Sequence, residues 1–510
     1  MALWLVALIP IAVVLVGMVG LRWSGARAGT VSWVVALGLA VVFFGAGPSL
    51  LANAQLKSIL LSLYVLYIIW MALLFYHVVN EAGVIKTLAA KLPGLTADKG
   101  LQVLVLAWAF GSFLQGVSGF GVPTAVVAPL LVGVGLGAEV AVVAAGLGHA
   151  WAVTFGSLAS SFLALMAATG RGGPELASES AIMLGLACFA CGVAVLWAVG
   201  GARMAAGHWW QVLVVGSVMS VTQYAVAQLG VYTLAAAAAG LAGLGATVLL
   251  ARLRRSTSDP PETPPPLSLG WALFPYIALI VIVGSANLVG PLSDFLDGVM
   301  IRIRFPELTT ALGYTTPAET GRTISVFGHA GALLLYTSLI SYAVFRARGN
   351  YSNGAARRIV RSTVKGSINS TIGILTMVAM AVTMEHAGMT RALAEGLATA
   401  AGSTYPAIAA FIGALGAFMT GSNTNSNVVF ASLQDQTAQL LGYAPVVILA
   451  AQTTGGAIGG AFAPAKVILG CSTVGLGGRE GPVVRATLIY GLVILIIVGV
   501  MAFAWVGVLS

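Results

Sequence analysis

The run Ser422-Asn423-Thr424-Asn425-Ser426-Asn427 puts three carboxamides and three hydroxyls into six consecutive positions, after the apolar stretch YPAIAAFIGALGAFM. Such residues compete with the backbone for hydrogen bonds and disfavour helix. In lipid they are costly unless partnered. Their chemistry is recognition: they satisfy an interrupted backbone and hydrogen-bond a small polar solute. A second break, SGFGVP at 118–123, offers Ser118 with Gly119, Phe120 and Gly121. The glycines allow a tight turn and close approach of a ligand. A helix broken inside a membrane exposes N–H groups and the positive end of its dipole, which together favour an anion.

Ionisable residues in apolar segments are functional candidates, because inserting one costs about 3 kcal/mol. Asp435 follows the Asn cluster, flanked by Gln434 and Gln436, and is a candidate proton or cation carrier or a local partner. His149, in GLGHAWAVTFGS, titrates near neutral pH and is read either as a proton-coupling group or as helix packing. Lys466 either binds an anion or snorkels to the interface. His77, His208 and His386 fall near expected span ends. His329 is read as a helix contact among small residues, Glu139 as a cap of its helix dipole, and Arg322 as an interface anchor. Cys188 and Cys191 form a CxxC without further ligands, so packing is expected there and no metal or other cofactor.

The elements that must hold these groups are membrane helices. The 510 residues are 59% hydrophobic and 8% charged, against about 25% charged in soluble domains. Apolar runs at 2–21, 31–47, 59–79 and 483–509 are near or above the length that spans a bilayer. A β-barrel would show short alternating segments instead. The net charge of +9 resides largely in short loops, where it sets topology, so no nucleic-acid partner is expected. The chain divides into N-terminal helices (1–57), a first repeat (58–251) with a hairpin near 100–136, a Pro-rich cytoplasmic linker (252–268), and a second repeat (269–510) with a hairpin near 405–441.

The repeat is visible at an offset of 305. EAGVIKTLA (81–89) aligns with HAGMTRALA (386–394), FLQG (113–116) with FMTG (418–421), and the SGFGVP break with NTNSNV (423–428). TTGG at 453–456 falls on Gly148 to Trp151, where a further break is expected in both halves. The basic loops 80–99 and 346–361 read as cytoplasmic, which inverts one half relative to the other, provided 291–320 adds no span. The expected fold is an all-α polytopic membrane protein of two inverted repeats, each with a re-entrant helical hairpin and a broken helix.

FGSFLQGVSGFGVPTAVVAPLLVGVG (110–135), AVTMEHAGMTRALAEGLA (381–398), TGSNTNSNVVFASLQDQTAQLLGYAPVVILAAQTTGGAIGG (420–460) and VGLGGREGPVVR (474–485) resemble the L-lactate permease family. The resemblance implies an inner-membrane, multi-pass carrier of lactate or glycolate, usually coupled to protons. Two departures stand out. Gln115 occupies the place of a family Glu, with Val122 where Thr is common, and Lys466 lies in GGAFAPAKV where the family reads close to GxMISPQS. Both charge changes make the site more positive, so a different proton route, sodium coupling, exchange or a more highly charged anion stays open.

The expected substrate-binding set is therefore Gln115, Ser118, Gly119, Phe120 and Gly121, the six residues Ser422, Asn423, Thr424, Asn425, Ser426 and Asn427, and Lys466. Its partners are a small organic anion, a proton or sodium ion, and lipid; a homodimer is one assembly open to such a bundle. A channel would need no inverted pair. Neither HExxH, GxSxG nor a phosphate-binding GxxxxGK[ST] occurs, which argues against a membrane enzyme and direct ATP drive.

Overall fold

A computed structural model describes residues 3–21, 23–92, 96–119, 121–253, 266–321, 323–476 and 480–509. Phe120, Arg322 and most of the Pro-rich linker lie outside them. Among the described residues twelve helices are long and apolar enough to cross a membrane. The architecture is a multi-pass helical membrane protein.

The N-terminal helices are α1 (Leu3–Leu15) and α2 (Gly25–Phe44). α1 is shorter than the apolar run 2–21, because its backbone passes into a π-helical turn at Val16–Gly20. Then comes α3 (Pro48–Glu81), which has Pro48 in its first turn, where a missing N–H costs nothing, and stops before Gly83 at φ +84°. α4 (Val84–Lys91) leads to the first hairpin, α5 (Lys99–Val117) and α6 (Val122–Gly133). α7 (Ala138–Gly148) and α8 (Gly156–Thr169) form a broken pair, followed by α9 (Gly173–Gly207), α10 (Trp209–Gln228) and α11 (Tyr232–Leu253).

Beyond the linker come α12 (Leu269–Leu288) and α13 (Gly290–Leu296). Residues 300–325 form a narrow antiparallel ribbon of three two-residue pairings, the one β feature among the described residues. It adds no span. The sequence patterning did not disclose it, since two-residue strands carry no periodicity. α14 (Ala330–Ala347) and α15 (Ala355–His386) follow, then α16 (Met389–Ala401), the second hairpin α17 (Tyr405–Thr420) and α18 (Asn423–Leu440), α19 (Pro445–Gly459), α20 (Pro464–Thr473) and α21 (Glu480–Leu509).

The run α3 to α9 is echoed by α15 to α21. α3 ends at Glu81 and α15 at His386; α4 starts at Val84 and α16 at Met389. Both steps equal the offset read from the sequence. α3 and α15 pack antiparallel. Gln55 reaches Thr383 at the start of α3, Trp70 reaches Thr371 in its middle, and Glu81 pairs with Arg358 at its end.

Each hairpin closes at its base. Lys99 donates to the carbonyl of Val134 at 2.6 Å, and the Tyr405 hydroxyl donates to Gln434 at 2.6 Å. The bases lie at opposite ends of α9: His208 after its last turn meets Asp98 beside the first hairpin, and Arg171 just before its first turn meets Asp435 of the second. The expected break at TTGG does not occur. α19 runs through residues 453–456 as helix and yields only after Gly459. The small residues there serve contact instead, since a Cβ on Gly455 would collide with the Ala410 carbonyl of α17.

Candidate substrate site

The Asn-rich run begins α18. Ser422 is its N-cap in extended conformation, and its hydroxyl accepts from the Asn425 N–H at 3.3 Å. Only Ser422 stands outside the helix; Asn423 to Asn427 are helical, and the buried amides among them are used across the molecule. Asn423 donates to the Thr154 hydroxyl and the Thr453 carbonyl, both at 3.1 Å. Asn427 donates to the Ser161 carbonyl and the Thr453 hydroxyl, both at 2.9 Å. Thr424 and Ser161 share a hydrogen bond of 3.0 Å, and Ser426 donates to the Gly413 carbonyl at 2.7 Å. The second hairpin is thereby tied to the broken α7–α8 pair of the first half.

The two hairpin tips differ. At the first, Ser118 donates to the Leu114 carbonyl, and Gln115 donates to Ser157 at 3.5 Å; both are buried. Gly119 and Gly121 have positive φ, and a Cβ on Gly119 would collide with the Ser157 hydroxyl. Ser157, Leu158 and Ala159 themselves form a left-handed turn, with φ from 48° to 59°. Such a conformation costs L-residues about 1–2 kcal/mol each. This tip is packed shut.

The second tip opens on a cavity. This cavity, of about 440 Å³, is lined by Ser422, Asn425, Lys466, Tyr76, His77 and Val122. Val122 and Leu469, which a Cβ on Gly121 would meet at 2.6 Å, bring the edge of the first tip to it. Lys466 lies in the first turn of α20 and has no carboxylate within ion-pair distance among the described residues. An unpaired ammonium, a capped helix N-terminus and an amide side chain converge there, which suits a small carboxylate.

A second cavity, of about 530 Å³, lies at the ribbon end, lined by Lys57, Glu319, Glu385, Ser432 and Asp435 among others. Asp435 is ion-paired with Arg171 and also accepts from Gln439 at 2.6 Å. The two cavities approach each other along α18: Asn425 lines the first and Val428 the second. Three residues of helix rise about 4.5 Å. Asn423, Ser426 and Asn427 lie at this divide.

Of the expected residues, Ser422, Asn425 and Lys466 line one cavity, and Asp435 the other. Asn423, Thr424, Ser426 and Asn427 build the wall between halves. Gln115, Ser118, Gly119 and Gly121 lie in the packed first tip. His149 is buried, bonded through Nδ1 to the Ala145 carbonyl at 2.7 Å, and lines neither cavity. The sequence reading passed over Lys57, Glu319, Glu385 and Arg171, and assigned His77 to the interface. Lys57 had a signal, as a lone cation well inside the long apolar α3. Glu319 and Arg171 sit in connections, where a charge is unremarkable.

Two hairpins of a polytopic bundle whose tips border one cavity, with a second cavity beyond a thin polar wall, are the arrangement of a membrane transport protein. The sequence profile of the L-lactate permease family matches residues 4–259 and 291–509. The chain belongs to the L-lactate permease family. It is 26% identical to the L-lactate permease of Salmonella typhimurium over 97% of this chain and 94% of that one. It is 25% identical to that of Bacillus subtilis over 98% and 95%, and 25% identical to the glycolate permease GlcA of Escherichia coli over 99% and 96%. Among solved structures, the YdaH transporter of Alcanivorax borkumensis aligns with a TM-score of 0.49 at 15% identity, over 90% of this chain and 87% of that one.

Proposed function

We propose that this protein is a secondary transporter of a small 2-hydroxy monocarboxylate, L-lactate or glycolate, in the cytoplasmic membrane, and that it works by alternating access between two inverted halves. The observation that carries the reading is Lys466, a cation without an acidic partner among the described residues, facing a cavity beside the N-terminus of α18. The substrate carboxylate sits at Lys466 and the first-turn N–H groups of α18. The Asn425 amide meets the 2-hydroxyl, and Leu469 and Ile69 of the same cavity face the methyl group. The relatives' names support the substrate class.

Inversion is supported by the antiparallel packing of the repeat-related helices α3 and α15 and by hairpin bases at opposite ends of α9. The basic stretch around Arg346 to Arg361 supports a cytoplasmic side for the Lys466 cavity and an external side for the ribbon. Coupling is to protons. Of the two titratable candidates Asp435 faces a cavity and His149 does not.

Uptake of labelled L-lactate, glycolate, a dicarboxylate and a sulfonated hydroxy acid into proteoliposomes tests this, under an imposed pH gradient and then a sodium gradient. L-lactate or glycolate is accumulated with the pH gradient alone. Accumulation only of the doubly charged acids, or only with sodium, refutes it. Lys466→Ala weakens L-lactate binding at least tenfold, as expected for losing a charge-assisted hydrogen bond of about 1.5–3 kcal/mol; unchanged affinity removes Lys466 from the site.

A further inference from the structure

The charges in the ribbon-end cavity are arranged around a replaceable carboxylate. Lys57, Glu319, Glu385 and Asp435 line it, and Arg171 stands behind Asp435, outside the lining, as that residue's ion-pair partner. Lys57 is held between two of the acids, 2.6 Å from Glu319 and 3.9 Å from Glu385. Arg171 has one carboxylate, Asp435, and its side chain keeps 30% of its surface exposed beside Thr169 and Gly170 of the cavity wall. A guanidinium presents a planar fork that matches any carboxylate. Asp435 is the less exposed partner, at 12%. The charged groups around it are Arg171 before α9, Glu385 of α15, and Lys57 and Glu319 across the cavity; Gln439 of its own helix binds its second oxygen.

We infer that this cavity is a second, outward-facing substrate site in which the carboxylate of a small monocarboxylate replaces Asp435 on Arg171 while Asp435 takes up one proton from the external water. The step balances. The Arg171–Asp435 ion pair opens, an O–H bond forms on the Asp435 carboxyl, and the incoming carboxylate restores the lost negative charge, so the cavity charge is the same before and after. Without the proton, the anion would enter a cavity that already holds more carboxylates than cations. The inference rests on the transporter reading above and adds to it a site and the group that takes the proton.

The test is L-lactate binding to the purified full-length protein across pH 5 to 8, by calorimetry in buffers of different ionisation enthalpy, so that protons taken up are counted. It is done in the Lys466→Ala background, which leaves the ribbon-end site. One proton enters per lactate, and Kd rises roughly tenfold per pH unit wherever that uptake is counted. Asp435→Asn binds lactate with no proton uptake and no pH slope, Asp435→Glu keeps both, and Arg171→Gln loses binding. Glu385→Gln keeps the slope. Binding without proton uptake, a slope that survives in Asp435→Asn, or a slope lost instead in Glu385→Gln overturns the inference while leaving the transporter reading intact. Failure of the unmutated protein to bind or transport any 2-hydroxy monocarboxylate overturns both.

Discussion

Asn427 shows how an amide differs from its isosteric acid in this wall. Its Nδ2 donates both to the Ser161 carbonyl and to the Thr453 hydroxyl. In Asn427→Ala both acceptors lose a donor at a buried position, which costs about 1–3 kcal/mol. In Asn427→Asp a carboxylate oxygen would face the Ser161 carbonyl, acceptor against acceptor, with an added desolvation penalty. Asn427→Asp is therefore the less stable of the two, despite its closer shape, and thermal unfolding in detergent reads the order directly. Gln115 poses the same question at the first tip. It lies buried against Gly156 and Ser157. Gln115→Glu, which restores the acid of the family pattern, therefore buries a charge once ionised. That variant melts lower at pH 8 than at pH 5, while the unsubstituted protein changes less.

Among the elements, the tightest seam joins α17 to α19. Cβ atoms on Gly455 and Gly459 would collide with the carbonyls of Ala410 and Ala414. Close backbone contact of this kind holds helices together where lipid offers no hydrophobic drive. Gly455→Ala forces α17 away from α19, and a fall in the yield of monodisperse protein of several-fold is expected; an unchanged yield would mean that the seam yields easily. The left-handed turn Ser157–Ala159 is the opposite kind of feature. Replacing Ala159 by Gly removes about 1–2 kcal/mol of conformational cost, so its melting temperature rises. The sequence disclosed these elements unevenly. The Asn-rich run and SGFGVP were legible as hairpin tips because polar residues inside apolar helices admit few explanations. TTGG was misread because threonine and glycine both end helices and line helix contacts, and only the neighbouring Ala410 distinguishes the two uses. The charged cavity was not legible, since Lys57, Glu319 and Glu385, and Arg171 behind Asp435, come from separate stretches that only the fold brings together.

At the scale of the whole molecule, alternating access requires that the two cavities open in turn. Each end of the α3–α15 pair carries its own polar latch. Glu81 and Arg358 close the end nearer the Lys466 cavity, with Arg358 also donating to the Asn353 carbonyl at 2.7 Å. Lys57 and Glu319 tie the ribbon to the other end. An exposed ion pair contributes only up to about 1 kcal/mol, yet that is enough to move a balanced two-state equilibrium about fivefold. Arg358→Ala weakens the Glu81 latch and favours the state open on that side. Cysteines reporting on the cavities make this measurable against a quiet background, because Cys188, Cys191 and Cys471 are all buried. A cysteine at Ser422 reports on the Lys466 cavity and one at Ser432 on the ribbon-end cavity. Arg358→Ala raises the labelling rate at position 422 by a few-fold and lowers it at 432; Lys57→Ala does the reverse. Saturating L-lactate slows labelling at 422 in the otherwise unchanged protein. If both positions become more reactive together in either variant, the latches hold the bundle closed as a whole and do not select between its two faces.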